Sequence, residues 1–281
     1  MLPLAALIDG AVHWASIKLS PVFSAITTAV DVLNGLLLGG LRVMPPWLAV
    51  VLIGAVVARR RGSPTGIGVA LAAALIWNLG LWPAALETVS LVLLSTGLSL
   101  AVGVPVGVLC AESPAWRSAI TPVLDYMQTT PAFVYLIPSV LFFGVGTAPG
   151  VLATFMFAMP PPARATQLGI AQLKSEISEA GIAFGSTRLQ LLTKIKLPLA
   201  WPYIALGINQ CIMMALNVVV IAALIGAQGL GTNVVSSLAQ LDLGKGIEAG
   251  TAIVLLALIL DRLTASGSDP GAISSRRKLG T

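Results

Sequence analysis

The chain has 281 residues, of which 57% are hydrophobic and only 10% are charged, and its mean hydropathy is +0.94. Soluble domains carry about 25% charged residues, so this composition excludes an ordinary water-soluble fold and indicates a protein that lies in lipid. A formal charge of +5 would suit a nucleic-acid partner in a soluble protein, but the positions of the charges along this chain favour another explanation.

The first segment, 1–45, is predicted to be extracytoplasmic and built around one amphipathic helix. Ser20 and Pro21 are typical of an N-cap followed by a first-turn proline. Apolar side chains then share one helical stripe, at Val22, Phe23, Ile26, Val30, Leu33 and Leu37. Because Asp31 and Asn34 fall elsewhere, we expect this helix to lie on the outer membrane interface, with an eighth membrane span as the alternative. No cleaved leader is expected, since the start has no basic region.

Seven apolar runs are predicted to cross the membrane, where a helix needs roughly 20 residues. They are Pro46–Ala58, Gly66–Trp82, Leu86–Leu109, Ile120–Val145, Pro149–Gln167, Leu199–Ile225 and Gly244–Leu260. The first run is short, and the arginines at 59–61 beyond it can reach the interface. The fourth is expected to kink or split at Pro122 and Pro131. We therefore predict an all-α integral membrane protein, with two accessory helices in 46–83 and a core domain in 84–265.

The basic residues predict the orientation of the chain. If residues 59–61 are cytoplasmic and the spans alternate, 13 of the 16 basic residues lie in cytoplasmic segments, and only Lys18, Arg42 and Lys245 lie outside. The positive-inside rule predicts such an excess for one orientation. We therefore expect an external amino terminus and a cytoplasmic carboxyl terminus in a cell membrane. The positive charge then indicates orientation, and no nucleic-acid partner is expected.

A charged segment, 171–198, separates the fifth and sixth spans and has helical periodicity. Its apolar positions are Ile177, Ala180, Phe184, Leu191 and Ile195. Gly185 interrupts the pattern, and Thr187 with Gln190 matches a capping box for a second short helix, which Pro198 is expected to end. We predict two short cytoplasmic helices joined at a glycine corner. Their apolar residues need a surface to cover them, which is the protein's own spans, lipid or a cytoplasmic partner.

The residues of this segment also have a characteristic spacing. Glu179-Ala180-Gly181 is followed by Gly185, then by Ile195 and Leu197-Pro198. This spacing resembles the "EAA" loop of ABC importer permeases, except that the third residue is usually alanine. The resemblance implies a type I importer core whose loop docks on a separate ATPase. It implies that the docking corner is formed by Glu179, Ala180, Gly181 and Gly185, that Ile182 and Phe184 lie nearest the partner, and that Ile195, Leu197 and Pro198 fix the loop to the next span.

Other stretches resemble one branch of that family, the permeases for glycine betaine, proline betaine and choline. They are "LDYMQTTPAFVYLIPSVLFFGVG" at 124–146, "NQCIMMALNVVVIAALIGAQGLG" at 209–231 and "LALILDRLT" at 256–264. The proline-rich "MPPPARATQLGI" at 159–170 departs from the family pattern. We expect these prolines to alter the cytoplasmic end of the fifth span. The resemblance implies osmoprotectant import with delivery by an extracytoplasmic substrate-binding protein.

The resemblance also implies the remaining partners, which are two ATPase copies, a second permease copy in a homodimer, and membrane lipid. ATP and Mg would be bound by the ATPase, because this sequence has no GxxxxGK[ST] phosphate loop. It also has no cysteine–histidine cluster with metal-ligand spacing. We therefore expect a transport subunit that is not itself an enzyme and has no catalytic residue, metal or cofactor of its own.

Polar residues within the apolar runs are candidates for the translocation path, since polar groups in lipid need a cavity or another helix. They are Tyr126, Gln128, Thr129, Thr130, Asn209, Gln210 and Asn217. Hydrogen bonding between helices remains an equal alternative for each of them. Gly103 and Gly107 form a GxxxG pattern, which predicts close helix packing either within the chain or between two copies.

Other functions are less consistent with the sequence than import is. A secondary transporter usually places ionisable residues near mid-membrane, and none lies clearly there in this sequence. A permease of the same fold for another small solute, such as an amino acid, remains the main alternative. A membrane enzyme is disfavoured because no nucleophile–base pair is visible. The Gly/Ser-rich, basic tail, 266–281, is expected to be disordered.

Overall fold

The computed structural model describes residues 4–264, and every regular element in this range is helical. The predicted disordered tail, 266–281, lies outside the described residues. The helices are α1 (Leu4–Lys18), α2 (Ser20–Val43), α3 (Pro46–Arg61), α4 (Ser63–Asn78), α5 (Trp82–Glu112), α6 (Pro114–Thr129), a 3-10 turn (Ala132–Tyr135), α7 (Leu136–Phe143), α8 (Thr147–Ala158), α9 (Pro160–Ala171), α10 (Ser175–Ala183), α11 (Arg188–Gln190), a π-helical stretch (Leu191–Lys196), α12 (Leu197–Ala223), α13 (Leu230–Ala239) and α14 (Leu243–Thr264).

Four described helices are long and apolar enough to cross a membrane, namely α2, α5, the continuous helix Arg188–Ala223, and α14. Three of them coincide with predicted spans. The predicted fourth span is divided, because Thr130 before Pro131 is extended, with φ −71° and ψ 126°, as the residue before a proline tends to be. Pro122 lies inside the continuous helix α6, so the predicted span is not split there, and a kink at Pro122 stays a prediction.

The predicted fifth span is formed by two helices, α8 and α9, with Met159 between them. Pro160, Pro161 and Pro162 occupy the first turn of α9. The N–H groups of a first turn have no partner within their own helix, so prolines there remove little. The proline-rich stretch therefore begins a helix, and all three prolines are buried.

Contacts between distant residues define the two ends of the helical bundle. At one end, the Leu230 N–H donates to Thr88 Oγ1 at 2.8 Å and the Gly146 N–H donates to the Ile225 carbonyl at 2.9 Å. At the other end, Lys196 Nζ lies 2.6 Å from Glu112 Oε1. The first end is the one that the charge distribution places outside, and the second is the one that it places in the cytoplasm.

Both ends of helix α2 contact the first of these two ends of the bundle. Near its C-terminus, Arg42 pairs with Glu87 at 2.9 Å. Near its N-terminus, the Phe23 ring lies 4.7 Å from Phe142 and 5.4 Å from Phe143, centroid to centroid, at the C-terminus of α7. A 24-residue helix with both of its ends against one end of the bundle lies across it. This arrangement fits the predicted interfacial position, although by length and composition α2 also suffices for a span.

Glycines allow α9 to pack closely between α5 and α12. A Cβ on Gly103 of α5 would lie 2.9 Å from the Met159 carbonyl oxygen, and a Cβ on Gly107 would overlap the backbone of Ala163. On the α12 side, a Cβ on Gly207 would lie 2.6 Å from the Ala165 Cβ. The GxxxG pattern therefore serves helix packing within the chain, which is one of the two alternatives left open by the sequence.

Candidate functional site

The corner after α10 has the backbone geometry of a Schellman helix end. Gly185 has a φ of +79°, and its N–H donates to the Ile182 carbonyl at 2.9 Å. The Ser186 N–H donates to the Gly181 carbonyl at 3.0 Å. These two bonds satisfy carbonyls that a helix end otherwise leaves unpaired. A Cβ on Gly185 would meet no atom within 4 Å, so glycine is needed here for its backbone conformation and not for space.

The helix after the corner starts at the predicted capping box. The Gln190 N–H donates to Thr187 Oγ1 at 3.3 Å, and the Thr187 N–H donates to Gln190 Oε1 at 2.9 Å. The two side chains thus satisfy both backbone donors reciprocally. A Schellman end followed directly by a capping box gives the turn between the two helices a defined geometry.

Pro198 was expected to end this second helix, and this prediction was wrong. The chain remains helical from Arg188 to Ala223. The segment before the proline is π-helical, and the Leu197 N–H donates to the Leu192 carbonyl five residues back. A π turn is wider than an α turn, which leaves room for the proline ring. The second helix of the charged segment, 171–198, therefore continues into α12 without interruption.

The corner presents apolar side chains outward. Phe184 is 91% exposed, Leu189 70% and Ile182 62%, and Glu179 and Ala180 are also exposed. Such exposure of large apolar side chains on one small surface is unusual in the absence of a partner or lipid. Leu189 was not singled out from the sequence, although it follows the predicted N-cap by two residues. Ile182 and Phe184, which the resemblance places nearest the partner, are both exposed.

Other residues of the segment face inward and hold the corner in place. Leu191 is buried, and Ile195 and Leu197 are half-buried. Gly181 is buried against them, since a Cβ there would lie 2.7 Å from Leu191 Cδ1. Because that atom is the tip of a flexible side chain, alanine, the usual residue at this position of the loop, would require only a small adjustment. Pro198 remains exposed in the first turn of α12.

A salt bridge joins the charged segment, 171–198, to the rest of the bundle. The Lys196 side chain is only 17% exposed and contacts Glu112 at the C-terminus of α5. Tyr203, almost two turns into α12, donates a hydrogen bond to Gln172 just after α9. The sequence did not indicate this partner of Lys196, which lies 84 residues away.

The candidate path residues divide into groups in the structure. Tyr126, Gln128 and Thr129 are exposed near the C-terminus of α6, and Thr130 is half-buried. The hydroxyls of the two threonines donate to the Tyr126 carbonyl, at 3.1 and 2.7 Å. These side chains form a polar exposed rim at the break between α6 and α7, and their assignment to a path stays a prediction.

Asn209 has a clear structural role between helices. It accepts a hydrogen bond from Thr264 Oγ1 at 2.7 Å, and its Nδ2 donates to Asp261 Oδ1 at 3.2 Å. Both partners are in α14, so this amide joins α12 to α14. For Asn209, the alternative interpretation of hydrogen bonding between helices accounts for the polar side chain.

Gln210 and Asn217 form the polar part of an exposed face on α12. They are seven residues apart, which places them two turns apart on one side of the helix, and both are exposed in the single chain. Leu206 and Leu224 continue this face and are 56% and 52% exposed. Amide side chains near the middle of a membrane-crossing helix are costly in lipid and usually face a water-filled cavity or another helix.

Within the described residues, no group of three or more histidine, cysteine, aspartate or glutamate side chains could hold a metal ion. Two of the aspartates have other partners: Asp242 caps a helix, and Asp125 forms an ion pair. Asp242 caps α14 by accepting from the Lys245 N–H at 3.1 Å. The hydrogen bonds from the Lys245 backbone and side chain hold the pKa of Asp242 below its ordinary value. Asp125, near the other end of the bundle, pairs with Arg164.

The chain is similar over residues 103–266 to the family model described as "Binding-protein-dependent transport system inner membrane component". It is 45% identical to the glycine betaine/carnitine transport permease protein GbuB of Listeria monocytogenes, with 94% of each chain covered. It is 43% identical to the glycine betaine transport system permease protein OpuAB of Bacillus subtilis, over 94% of this chain and 93% of the relative. It is also 40% identical to the glycine betaine/proline betaine permease ProW of Escherichia coli, over 99% of this chain and 78% of that relative.

The fold is also similar to a solved structure. An inward-facing form of the MetNI methionine ABC transporter matches with a TM-score of 0.58 at 19% identity, covering 69% of this chain and 95% of that chain. At this identity the match supports the helical architecture alone.

Proposed function

Since the chain belongs to the family of binding-protein-dependent transport system inner membrane components, we propose that it is the permease of an ATP-driven importer of quaternary ammonium osmoprotectants. The observation that carries the coupling to ATP is the exposed apolar corner around Phe184, which is held by a Schellman end and a capping box. The protein is a multi-pass membrane protein. Its corner, which has a defined backbone geometry, is the surface that docks on the ATPase.

The transported solutes that we propose are glycine betaine, proline betaine and choline. Relatives that are 40–45% identical to almost the whole of this chain are named as permeases for glycine betaine, with carnitine or proline betaine. A relative named as a choline permease is 34% identical over 60% of the chain. The same fold also occurs in a methionine transporter, so the fold does not choose the solute, and an amino-acid permease is the second candidate.

The partners follow from the same premise. We propose that two copies of an ATPase subunit bind ATP and Mg, that an extracytoplasmic binding protein delivers the solute, and that a second copy of this chain completes the membrane part. The exposed amides of Gln210 and Asn217 support a partner across α12. Two such faces around a shared axis would give the path a neutral, polar lining, to which the rim at Tyr126–Thr130 contributes.

The mechanism that we propose rests on the unbroken helix from Arg188 to Ala223. Movement of the corner by an ATPase is transmitted through the π-helical stretch into α12, because no loop lies between them. The Lys196–Glu112 salt bridge carries part of the movement to α5. The polar face of α12 would then alternate between two positions, whose populations the partner shifts by binding one of them more tightly.

The coupling is tested by replacing Phe184 with Asp in the tagged full-length chain, purified from its native host. Because Phe184 is 91% exposed, the fold is expected to tolerate the change. Co-purified ATPase activity and glycine betaine uptake are both expected to fall at least tenfold, since a charge would replace a central apolar anchor. Trp116→Asp is the matched control, an exposed aromatic side chain in the neighbouring predicted cytoplasmic segment. Full ATPase recovery and uptake with Phe184→Asp would exclude a docking role.

The solute is tested separately by competition for uptake. Unlabelled proline betaine and choline are expected to reduce uptake of labelled glycine betaine, and methionine is expected to have no effect. Uptake of methionine in place of glycine betaine would replace the proposed solute and leave the coupling to ATP intact. Solute uptake by the chain reconstituted alone, without nucleotide, would instead favour a secondary transporter.

A further inference from the structure

An apolar groove of about 450 Å³ runs between α3, α4, α5 and α14, and the last turn of α2 closes one end of it. Its walls are formed by aliphatic side chains such as Leu52, Ile76, Leu93 and Ile259. The hydroxyl of Thr264 also reaches the groove, but it lies within hydrogen-bond distance of two acceptors, Asn209 Oδ1 and the Leu260 carbonyl, to which it can donate its one proton. The groove therefore offers no free polar group to a charged solute along these walls, and it is suited to a hydrocarbon chain.

Along α5 the groove is about as long as one membrane leaflet is deep, and on α14 it reaches Leu263 and Thr264 at the end of the helix. On α5 it extends from Trp82 to Leu93, which at 1.5 Å per residue is about 16 Å. The hydrocarbon core of a bilayer is about 30 Å thick, so one leaflet supplies about 15 Å. An α-helix with its side chains is about 10–12 Å across, which is too wide for a groove of this volume and length. A single extended acyl chain fits both dimensions.

A second pocket of about 430 Å³ joins the outer end of the groove. Met44, Trp82 and Leu86 line both spaces, and Arg42 lines the second pocket only. The Arg42 side chain is 52% exposed and uses one nitrogen to pair with Glu87 at 2.9 Å. A guanidinium has five N–H donors and is well matched to a phosphate, so Arg42 has further donors for a second anion. Trp82 adds an aromatic ring of the kind found at headgroup level.

We propose that this continuous space is a binding site for a membrane phospholipid. One acyl chain lies in the groove between α3, α5 and α14, and the phosphate is held by Arg42 between the C-terminus of α2 and the N-terminus of α5. The lipid thereby fills the space between the two accessory helices and the core, and it joins them to the interfacial helix. The site needs only a protein in a membrane, so it does not depend on which solute is transported.

The site is tested on the full-length chain purified in mild detergent, by native mass spectrometry with added dioleoyl phosphatidylethanolamine or dioleoyl phosphatidylglycerol. Leu52→Trp is expected to remove the bound lipid, because Leu52 lines the groove and the larger ring would occupy it. Val51→Trp is the matched control, since Val51 is the next residue, is 59% exposed and does not line the groove. Equal lipid binding by the two tryptophan variants would overturn the proposal.

The headgroup contact is tested with Arg42→Gln, which is expected to weaken lipid binding about tenfold by removing a charge-assisted hydrogen bond to phosphate. Glu87→Gln breaks the same salt bridge but keeps the arginine, so it is expected to retain the lipid. Equal losses in Arg42→Gln and Glu87→Gln would show that the salt bridge and not a phosphate contact is responsible, and would contradict the site. Retention of either added lipid by Glu87→Gln supports the proposed site. The lipid that binds more tightly identifies the preferred headgroup.

Discussion

At the scale of single residues, the corner depends on the conformation of Gly185. An L-residue in the left-handed region costs about 1–2 kcal/mol, and Gly185 has a φ of +79° in open space. Gly185→Val is therefore expected to distort the corner without any steric clash. We expect several-fold weaker association with the ATPase and little change in the thermal unfolding of the membrane helices, measured by co-purification and by melting in detergent.

Asparagine provides the control for this prediction, because it enters the left-handed region more readily than other residues with a side chain. Gly185→Asn should retain much more of the ATPase than Gly185→Val does. If the valine variant bound as well as the wild-type chain, the geometry of the corner would have no part in docking.

Residue-level features were predictable where they depend on neighbours in sequence. The capping box of Thr187 and Gln190 and the turn at Gly185 involve residues within a few positions, so the pattern itself contains the partners. The contacts of Lys196 and Asn209 were not predictable in this way. Their partners lie 52 to 84 residues away, and only the packing of α12 against α5 and α14 brings them together.

At the scale of helices, three prolines show why breaks were only partly predictable. Pro131 divides two helices because Thr130 is extended, whereas Pro122 lies within α6. Pro198 lies within the continuous helix that includes α12. A proline always removes one backbone donor, but whether the helix ends depends on the turn before it. For Pro198, that turn is π-helical, a state that short-range propensity does not reveal.

The packing of α5 against α9 gives a prediction at this scale. Gly107→Ala is expected to destabilise the protein by about 1–3 kcal/mol, because the new methyl group would overlap the backbone of Ala163, which cannot rotate away. The measurement is the thermal unfolding temperature in detergent, followed by circular dichroism or by exposure of the buried cysteines.

Gly97 on the same helix is the control for this change. It has no atom within 4 Å of an added Cβ, so Gly97→Ala should be neutral or should stabilise α5 by up to about 1 kcal/mol through helix propensity. Similar unfolding temperatures for the two alanine variants would mean that α5 and α9 are not packed at Gly107 as described.

At the scale of the whole molecule, two long-range pairs each join residues that the predicted topology places on the same side of the membrane, and the orientation itself stays a prediction. Arg42 and Glu87, both placed outside, contact each other, and so do Lys196 and Glu112, both placed in the cytoplasm. The side of each basic residue is a prediction that depends on counting spans in the sequence. The sequence could not predict the groove between the accessory helices and the core, which exists only because α14 returns to pack against α4.

The orientation itself leads to a prediction about labelling in intact cells. Arg59→Cys and Lys245→Cys each place a thiol at an exposed position on opposite predicted sides of the membrane. The native Cys110 and Cys211 are buried and should give a low background. Lys245 forms only an exposed salt bridge with Asp242, so its loss should cost little stability.

A maleimide that does not cross the membrane should therefore label Lys245→Cys in intact cells and label Arg59→Cys only after the cells are permeabilised. Permeabilised cells serve as the control, because both thiols should then react and show that each is accessible. Labelling of Arg59→Cys alone in intact cells would show that the chain has the opposite orientation. The corner at Gly185 would then lie outside the cell, away from ATP, and coupling through it could not operate.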